Sequence, residues 1–302
     1  MQYIEGIDAF HGEKRTAVTL GKFDGLHRGH QKLIEKITEY ADSECESVVC
    51  AFDMHKDCLM TKEEKKKYLS DRVDYLIDYP FTRELMEMEA EKFIQNILCE
   101  KLHAAHIVVG TDCSFGHLKR GDYQMLEKYA PVYGYTVDVI EKETYQGREI
   151  SSTYIREALI DGNVALAEEL LGYPYEMSGT VEHGKQLGRT LGFPTMNIEP
   201  EESKILPKYG VYACQVLIDG KWYGGVGNAG VKPTVTNEKK RLFEVYVYGF
   251  SGDAYGKRIK VKFSEFERPE TKFESVEELQ DTVMRDMKYG ETYLKEHPLT
   301  EK

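Results

Sequence analysis

Two histidines three residues apart carry the strongest chemical signal in this sequence. His27 and His30 belong to residues 21–31, which read Gly-Lys-Phe-Asp-Gly-Leu-His-Arg-Gly-His-Gln. On the first turn of a helix, side chains at this spacing point the same way. Two imidazoles beside the free N–H groups of a helix start would stabilise the negative charge that builds up when the α-phosphate of a nucleotide is attacked. We therefore interpret both histidines as candidate catalytic residues.

The segments on either side of this motif support that interpretation. Residues 16–20 form an apolar run typical of a buried strand, and the apolar positions within residues 31–41 fall on one helical face. A glycine-rich turn between a strand and a helix leaves backbone N–H groups free to bind phosphate. A histidine pair on a helix is weak evidence by itself, and no third ligand at the usual spacing indicates zinc. The candidate nucleotide-binding residues of the turn are Gly21, Phe23, Asp24 and Gly25.

A second element able to bind phosphate lies at residues 150–156, which read Ile-Ser-Ser-Thr-Tyr-Ile-Arg. Hydroxyl side chains such as those of Ser152 and Thr153 can cap a helix, but capping alone does not call for Arg156 one turn further on. A guanidinium beside hydroxyls and exposed N–H groups suits the β- and γ-phosphates of a nucleotide. Residues 110–116 follow another strand-like run, and their glycines and aspartate are typical either of a ligand-binding loop or of an ordinary turn.

The composition limits the classes to which this chain can belong. Its 302 residues are enough for two domains, and its net charge of −12 argues against broad binding to nucleic acid or to a membrane surface. Six scattered cysteines without a CxxC pair are typical of reduced thiols in the cytosol. The first residues lack a signal-peptide pattern, and no apolar run approaches the ~18 residues of a membrane span. We expect a soluble, cytoplasmic protein.

The order of predicted elements indicates two domains, residues 1–172 and 173–302. In the first, strands alternate with helices, which predicts a Rossmann-like parallel sheet with helices on both faces; residues 68–98 are predicted to be mostly helical. In the second, short β-rich runs predict a small antiparallel barrel, followed by a helix that begins at Ser275. We interpret the apolar stripe of that helix as core packing and the lysine-rich residues 62–67 as a solvated charge run.

The second domain begins with a glycine-rich segment at residues 179–197. Glycines allow a backbone to approach phosphates closely. Thr195 and Asn197 lie two apart, so on an extended segment both share one face and offer neutral oxygens to a Mg²⁺ that already carries ATP phosphates. The alternative is a glycine-rich turn without a ligand. The candidate phosphate-binding residues are Gly184, Lys185, Gly188, Arg189 and Gly192.

Together these motifs resemble the bacterial bifunctional riboflavin kinases/FAD synthetases over essentially the whole chain. The histidine motif also resembles the signature of HxGH nucleotidyltransferases and, more distantly, that of class I aminoacyl-tRNA synthetases. The matching segments of the first domain are residues 21–31, Phe52 with His55, 110–116, 150–156 and the junction at 170–175. Those of the second domain are residues 179–197, 207–211, 228–234, 243–245, 255–257, 268–270 and Phe273.

The resemblance implies two sequential reactions on separate domains. The second domain would phosphorylate riboflavin with ATP and Mg²⁺ to give FMN, with Glu244 as the catalytic base. The first would transfer an adenylyl group from another ATP to FMN, giving FAD and pyrophosphate. Flavins and ATP are then the expected partners, without nucleic acid or a membrane, and a homo-oligomer stays open. The flavin-binding residues that it implies are Asp112, Phe115, Asn228 and Arg268.

The sequence alone leaves several alternatives to this interpretation open. Glu244 alternates with Phe243 and Val245, a pattern that fits a solvated glutamate as well as a catalytic one. Departures from the family's pattern allow a protein that keeps one activity and uses its other domain to bind flavin. The motifs of the first domain would also permit another acceptor, such as a pantetheine or choline phosphate, although the second domain argues against it. The departures are Lys56, Cys113, Tyr173, Ala229, Lys232 and Gly249.

Overall fold

The structure is a computed structural model that describes residues 1–42, 44–52, 57–184, 188, 191–233 and 239–298. Contacts within the chain divide it into two compact units, Met1–Ser152 and Thr153–Lys302. Most of the segment between residues 152 and 172 is thus counted with the second unit, whereas the sequence places it in the first domain. The predicted functional boundary after residue 172 stays a prediction.

A six-stranded sheet forms the centre of the first unit, and all its neighbouring strands are parallel. Its strands are β1 (Gln2–Glu5), β2 (Arg15–Gly21), β3 (Cys45–Phe52), β4 (Tyr75–Tyr79), β5 (Ala104–Gly110) and β8 (Thr136–Ile140). The strand order β1-β4-β3-β2-β5-β8 reverses direction between β2 and β5. Ligands of such sheets bind where the carboxyl ends of the strands flank this reversal. Two small hairpins join β6 (Ser114–Phe115) to β7 (Gly121–Asp122) and β9 (Thr144–Tyr145) to β10 (Arg148–Glu149).

Helices cover both faces of this sheet, as the sequence predicts. They are α1 (Arg28–Glu39), α2 (Lys62–Leu69), α3 (Arg83–Glu87), α4 (Ala90–Lys92), which continues as a π-helix (Phe93–Lys101), and α5 (Tyr123–Tyr133). The π-helix and α5 bury apolar residues against one hydrophobic cluster, which contains Val18 and Val48 of the sheet. Ile34 and Ile37 of α1 are buried outside that cluster, because α1 packs against β2, β3 and β5 from the other face.

The prediction that residues 68–98 are mostly helical was wrong where β4 lies. Leu76 and Ile77 of this strand are almost fully buried because β4 pairs with β1 on one side and β3 on the other. A short apolar run with both faces covered cannot be told from a buried helical segment by its periodicity. The edge strand β1 was also not predicted.

The second unit contains a closed antiparallel barrel in the order β11-β12-β15-β14-β13-β16. Its strands are β11 (Glu176–Glu182), β12 (Met196–Pro200), β13 (Gly210–Ile218), β14 (Lys221–Pro233), β15 (Lys239–Val247) and β16 (Arg258–Pro269). Aromatic rings fill the interior, where Phe263 lies 5.1 Å from Phe243 and 5.2 Å from Tyr212 between ring centroids. The helices are α6 (Ser152–Asp161), which begins with the last residue of the first unit, α7 (Val164–Leu171) and the terminal α8 (Val276–Glu296). The predicted fold class, a parallel α/β domain followed by a barrel with a terminal helix, is confirmed.

Candidate functional site

The loop between β2 and α1 has a strained backbone. Phe23 and Leu26 have positive φ angles of 46° and 39°, and that of Gly25 is 82°. Apolar residues seldom adopt this left-handed conformation, and here the full burial of both side chains compensates the strain. Because Gly21 ends β2, the loop places the start of α1 at the carboxyl end of the sheet.

Asp24 holds this loop in place through two hydrogen bonds. The backbone N–H of Leu59 donates to Oδ1 of Asp24 at 2.8 Å, and the Oγ–H of Ser152 donates to its backbone carbonyl at 2.9 Å. The structure therefore brings together two motifs that the sequence separates by more than a hundred residues. That Asp24 and Ser152 bind a nucleotide stays a prediction.

The two histidines lie side by side at the start of α1. His27 is the N-cap, and its Nδ1 accepts a hydrogen bond from the backbone N–H of His30 at 3.4 Å. Their rings stack with centroids 3.7 Å apart, and the ring of Phe23 lies 5.1 Å from that of His30. Within the described residues, the buried Nδ1 of His30 has no hydrogen-bond partner. A buried polar atom without a partner is costly, and a bound ligand is one way to satisfy it.

Both imidazoles are held in the neutral form at pH 7. Burial lowers the pKa of His27 from its ordinary 6.5 to about 4, although the carboxylates of Asp112 and Glu143 act in the opposite direction. Burial lowers the pKa of His30 well below its usual value, and the charges of His27 and Lys65 lower it further. Neutral imidazoles can donate or accept hydrogen bonds without adding charge.

The loop after β5 contributes the predicted flavin contacts of this unit. The carboxylate of Asp112 lies 3.1 Å from Nζ of Lys142. Phe115 is only 6% exposed, and its ring packs 5.3 Å from that of Phe93 in the hydrophobic core. That either residue binds flavin stays a prediction, and for Phe115 the buried ring gives it no support.

In the second unit, five residues from five strands form one row across the barrel. Asn197 is paired with Glu244, Glu244 with Asn228, Asn228 with Val211, and Val211 with Arg268. Residues directly opposite each other on antiparallel strands project from the same face. Four residues that the sequence selects from distant motifs therefore share one face of the barrel.

This row lines a cavity of about 800 Å³. Phe243 and Val245 are fully buried in the barrel, so Glu244 between them projects from the opposite face, into the cavity. Helix α8 forms another wall through Leu279 and Val283. The interpretation of the α8 stripe as core packing was therefore wrong for these two residues, because an apolar helical face has the same period whether it meets a core or a ligand cavity.

The predicted magnesium ligands, Thr195 and Asn197, lie beside Glu244. The Oγ–H of Thr195 donates to Oε1 of Glu244 at 2.7 Å. Asn197 is 7% exposed, and a Cβ at Gly184 would lie 2.2 Å from its Nδ2, so only glycine leaves room there. Hydroxyl, amide and carboxylate oxygens are ligands that Mg²⁺ prefers. The oxygens of Thr195 and Asn197 fit a magnesium ion, and that such an ion binds here stays a prediction.

An ion pair with a buried carboxylate joins two walls of the cavity. Arg268 of β16 binds Asp286 of α8 in a bidentate manner, with Nε–Oδ1 at 2.9 Å and Nη2–Oδ2 at 2.6 Å. Asp286 is 5% exposed. Beside it, Nδ2 of Asn228 donates to Oε1 of Glu270 at 3.0 Å. The sequence prediction missed Asp286, although a carboxylate three residues after Val283 on the apolar stripe of α8 was a usable signal.

Comparison with known proteins matches each of the two units to a protein family. A FAD synthetase family model matches residues 10–154, and a riboflavin kinase model matches residues 171–294. The bifunctional riboflavin kinase/FMN adenylyltransferase of Listeria monocytogenes is 36% identical and covers 89% of each chain. That of Escherichia coli K12 is 37% identical and covers 89% of this chain and 90% of its own. This chain belongs to the bifunctional riboflavin kinase/FMN adenylyltransferase family.

A solved structure has the same two-domain fold. The crystal structure described as a macrolide-efflux protein from Streptococcus pneumoniae is 29% identical, with a TM-score of 0.84, and the match covers 94% of this chain and 96% of that one. The words "macrolide-efflux" describe that protein and are not carried over to this chain. In the described parts of this family member, no helix is both long and apolar enough to cross a membrane.

The remaining predicted phosphate-binding residues of this family member are only partly described. Thr153 and Arg156 lie on the first turns of α6, in the second unit. A Cβ at Gly188 would lie 2.5 Å from the carbonyl oxygen of Phe193, and Gly192 has a φ of 90°, so both positions favour glycine. Lys185 and Arg189 lie outside the described residues.

The residues that depart from the family's pattern, where the structure describes them, are not among the five residues of the row. Burial raises the pKa of the Cys113 thiol to about 12, so it stays protonated and inert. Ala229 is fully buried in β14, and Gly249 has a left-handed φ of 66° that suits glycine. Tyr173 is half-buried before the barrel. Lys56, His55 and the side chain of Lys232 lie outside the described part.

The low pKa of His27 predicts that acid destabilises the first unit. An unfolded histidine binds a proton near pH 6.5, whereas folded His27 does so only near pH 4. Its contribution to stability is therefore complete above pH 6.5 and is lost as the pH falls towards 4; at pH 5 the loss is about 2 kcal/mol. Urea unfolding followed by far-UV circular dichroism at pH 7 and pH 5 measures it.

The matched variant for this test is His27→Asn, because asparagine keeps an N-cap acceptor but cannot titrate. The difference in unfolding free energy between pH 7 and pH 5 is expected to be smaller in the variant than in the parent protein. Equal differences in both proteins would contradict the assignment of the acid sensitivity to His27.

Gly184→Ala is expected to slow FMN formation by about ten- to a hundredfold, because the new methyl group displaces the amide of Asn197. The measurement is the initial rate of FMN formation from riboflavin and ATP. The control, Gly252→Ala, places its Cβ 3.3 Å from the nearest atom, the ring edge of Phe250, and its rate is expected to be unchanged. Equal rates in the two variants would mean that the position of Asn197 is not critical.

Proposed function

We propose that this chain carries out two consecutive reactions, ATP-dependent phosphorylation of riboflavin to FMN and adenylyl transfer from ATP to FMN, giving FAD and pyrophosphate. The observation that carries the proposal is that both family models match, each over a different part of the chain. The relatives that match over 89% of this chain carry both activities in their names. A protein with one activity and a flavin-binding module has no such support.

Riboflavin phosphorylation takes place in the cavity of the second unit. The 5′-hydroxyl oxygen attacks the γ-phosphorus of ATP, the bond between that phosphorus and its bridging oxygen breaks, and ADP leaves. Glu244 accepts the hydroxyl proton, held in position by the hydroxyl of Thr195. Thr195 and Asn197 would hold a magnesium ion, which would supply charge neutralisation for the phosphates. Gly184, Gly188 and Gly192 let the backbone approach the nucleotide, and Asn228 and Arg268 contact the flavin.

Adenylyl transfer takes place at the carboxyl end of the parallel sheet. A phosphate oxygen of FMN attacks the α-phosphorus of ATP, and pyrophosphate leaves; an ionised phosphate carries no proton that a base must remove. His27 and His30, both neutral, donate hydrogen bonds to the charge that develops on the α-phosphate. Ser152, Thr153 and Arg156 hold the departing pyrophosphate, and Asp112 contacts the flavin.

The proposed setting is the cytoplasm, with flavins, ATP and Mg²⁺ as the ligands and without nucleic acid or a membrane as partner. All six cysteines are free thiols, which suits a reducing compartment. The net charge of −12 is unfavourable for binding polyanions. A homo-oligomer stays a proposal.

Chromatography of a reaction that contains the purified protein, riboflavin, ATP and Mg²⁺ tests the proposal. FMN is expected first and FAD later. FMN without FAD would reduce the first unit to a binding module or point to another acceptor. A second tube with FMN supplied separates the two steps, and the absence of both products would overturn the proposal.

A further inference from the structure

The guanidinium of Arg268 is held by hydrogen bonds from all three of its nitrogens. Nε and Nη2 donate to the two carboxylate oxygens of Asp286. Nη1 donates to the backbone carbonyl of Pro269 at 3.1 Å and to Oγ1 of Thr271 at 3.2 Å. Because the guanidinium is planar, these bonds fix the direction of the whole group.

Helix α8 places the carboxylate of Asp286 at the cavity wall. Asp286 lies three residues after Val283 and seven after Leu279, so the three side chains share one face of the helix, and all of them line the cavity. The side chain of Asp286 is 7% exposed and that of Arg268, another lining residue, is 23% exposed. The carboxylate is thus enclosed, whereas the arginine keeps accessible surface.

A second carboxyl group, that of Glu267, lies beside this pair. Glu267 is the extra residue of a β-bulge, since the register of β16 passes over it between Phe266 and Arg268. Burial raises the pKa of Glu267 to about 7, and the charge of Asp286 raises it further. Within the described residues, its buried Oε2 has no hydrogen-bond partner. The carboxylate that holds Arg268 is therefore that of Asp286.

Arg268 lies at the opposite end of the row from Asn197, a predicted magnesium ligand. Between Glu244 on β15 and Arg268 on β16 lie β14 and β13, so three strand spacings, about 14 Å along the sheet, separate the two residues. A riboflavin whose 5′-hydroxyl lies at Glu244 can place its ring system beside Arg268 over this distance. Riboflavin is uncharged, so a guanidinium contributes directed hydrogen bonds to it, and the positive charge needs a carboxylate of its own.

We propose that Asp286 is a positioning residue of the kinase reaction and holds the guanidinium of Arg268 in the orientation that binds the flavin ring. This inference rests on the proposed function of the second unit and deepens it. The two oxygens of Asp286 fix the direction of the guanidinium, and its negative charge compensates the arginine beside a neutral substrate. Riboflavin binding, rather than the chemistry at the γ-phosphate, therefore depends on Asp286.

Steady-state kinetics of FMN formation tests this assignment with Asp286→Asn, which keeps the size of the side chain and removes its charge. The KM for riboflavin is expected to rise by about ten- to a hundredfold, the equivalent of one charge-assisted hydrogen bond. The kcat at saturating riboflavin and the KM for ATP are expected to stay unchanged. A variant in which α8 is partly unfolded would instead show a lower kcat, and that result would contradict the inference.

A double variant shows whether Asp286 acts through Arg268. Arg268→Met is expected to raise the KM for riboflavin by a similar factor. Adding Asp286→Asn to Arg268→Met is expected to change that KM no further, because the carboxylate then has no guanidinium to position.

The control for the attachment of α8 is Tyr248→Phe. The hydroxyl of Tyr248 donates to the carbonyl of Met287, the residue after Asp286, so this variant removes another bond between α8 and the second unit. Its KM for riboflavin is expected to equal that of the parent protein. An equal increase in Tyr248→Phe and Asp286→Asn would mean that Asp286 only fastens the helix, which would overturn the inference.

Two further results would also overturn it: an unchanged KM for riboflavin in Asp286→Asn, or a further increase in the double variant. If Asp286→Asn does not fold, Arg268→Lys tests the inference, since lysine keeps the charge but loses the two-point attachment to Asp286. Its KM for riboflavin is expected to rise by about tenfold, and an unchanged KM would contradict the proposal. Absence of FMN formation in the parent protein would instead remove the proposed function.

Discussion

Replacing His30 by alanine is expected to abolish FAD formation while FMN formation continues at the rate of the parent protein. The loss should be about 100- to 1000-fold, because one preorganised hydrogen-bond donor to the transition state disappears. His30 belongs to the first unit and the described lining of the cavity belongs to the second, so we expect the kinase step not to depend on this side chain. The measurement is FAD production from supplied FMN and ATP, with FMN production from riboflavin assayed in parallel.

The control for this variant is His106→Ala. His106 also belongs to the first unit, but its ring stacks on Tyr40 at a centroid distance of 3.9 Å and its Nδ1 lies 2.8 Å from Oγ1 of Thr136, near the start of β5 rather than its carboxyl end. We expect His106→Ala to form FAD normally. A His30→Ala protein that still makes FAD at the parent rate would remove the histidine pair from the mechanism.

Glu244→Gln is expected to produce the opposite result, with loss of FMN formation and normal FAD formation when FMN is supplied. Glutamine keeps an Oε1 that accepts the 2.7 Å hydrogen bond from Thr195, but it cannot take the proton of the riboflavin hydroxyl. General base catalysis contributes about 100- to 10,000-fold, and a loss of that size is expected in the rate of FMN formation. Glu244→Ala should lose the same activity.

Glu265→Gln provides the matched control, since Glu265 lies on β16 of the same barrel and is paired with Ala213, outside the described cavity lining. Its rate of FMN formation should equal that of the parent protein. If Glu244→Gln retained full kinase activity, the base would have to be another group, and the row of cavity residues would serve only for binding.

The part of the histidine site that could be predicted from the sequence is the part that local motifs specify. A strand, a glycine-rich turn and a helix start are continuous in sequence, so the positions of His27 and His30 at the head of α1 followed from spacing alone. The hydrogen bond from Ser152 to Asp24 joins distant segments, and the sequence, which named both residues as phosphate-binding, did not predict it. The low pKa values of the histidines depend on burial by the whole unit, which no local pattern contains.

The second site shows the limit of periodicity more clearly. Alternation placed Glu244 opposite Phe243 and Val245 but left open whether its face met solvent. Closure of the barrel decided this, because strand pairing aligned Glu244 with Asn197 and Asn228, and α8 enclosed the same face. A sequence shows which residues share a face but not what that face contacts. For this reason the sequence left the role of Glu244 open, and for the same reason it assigned Leu279 and Val283 to the core.

The sequence by itself determined the two domain classes, the histidine pair, the glycine-rich loop and the family to which they point, since these depend on composition, short-range spacing and motif order. Only the tertiary structure decided that four predicted site residues form one row with Val211, that Asp286 pairs with Arg268, and that Ser152 at the start of α6 donates to the carbonyl of Asp24. The physical reason is that register between strands and the packing of a helix on a loop are set by contacts between residues far apart in the chain, which local patterns do not specify.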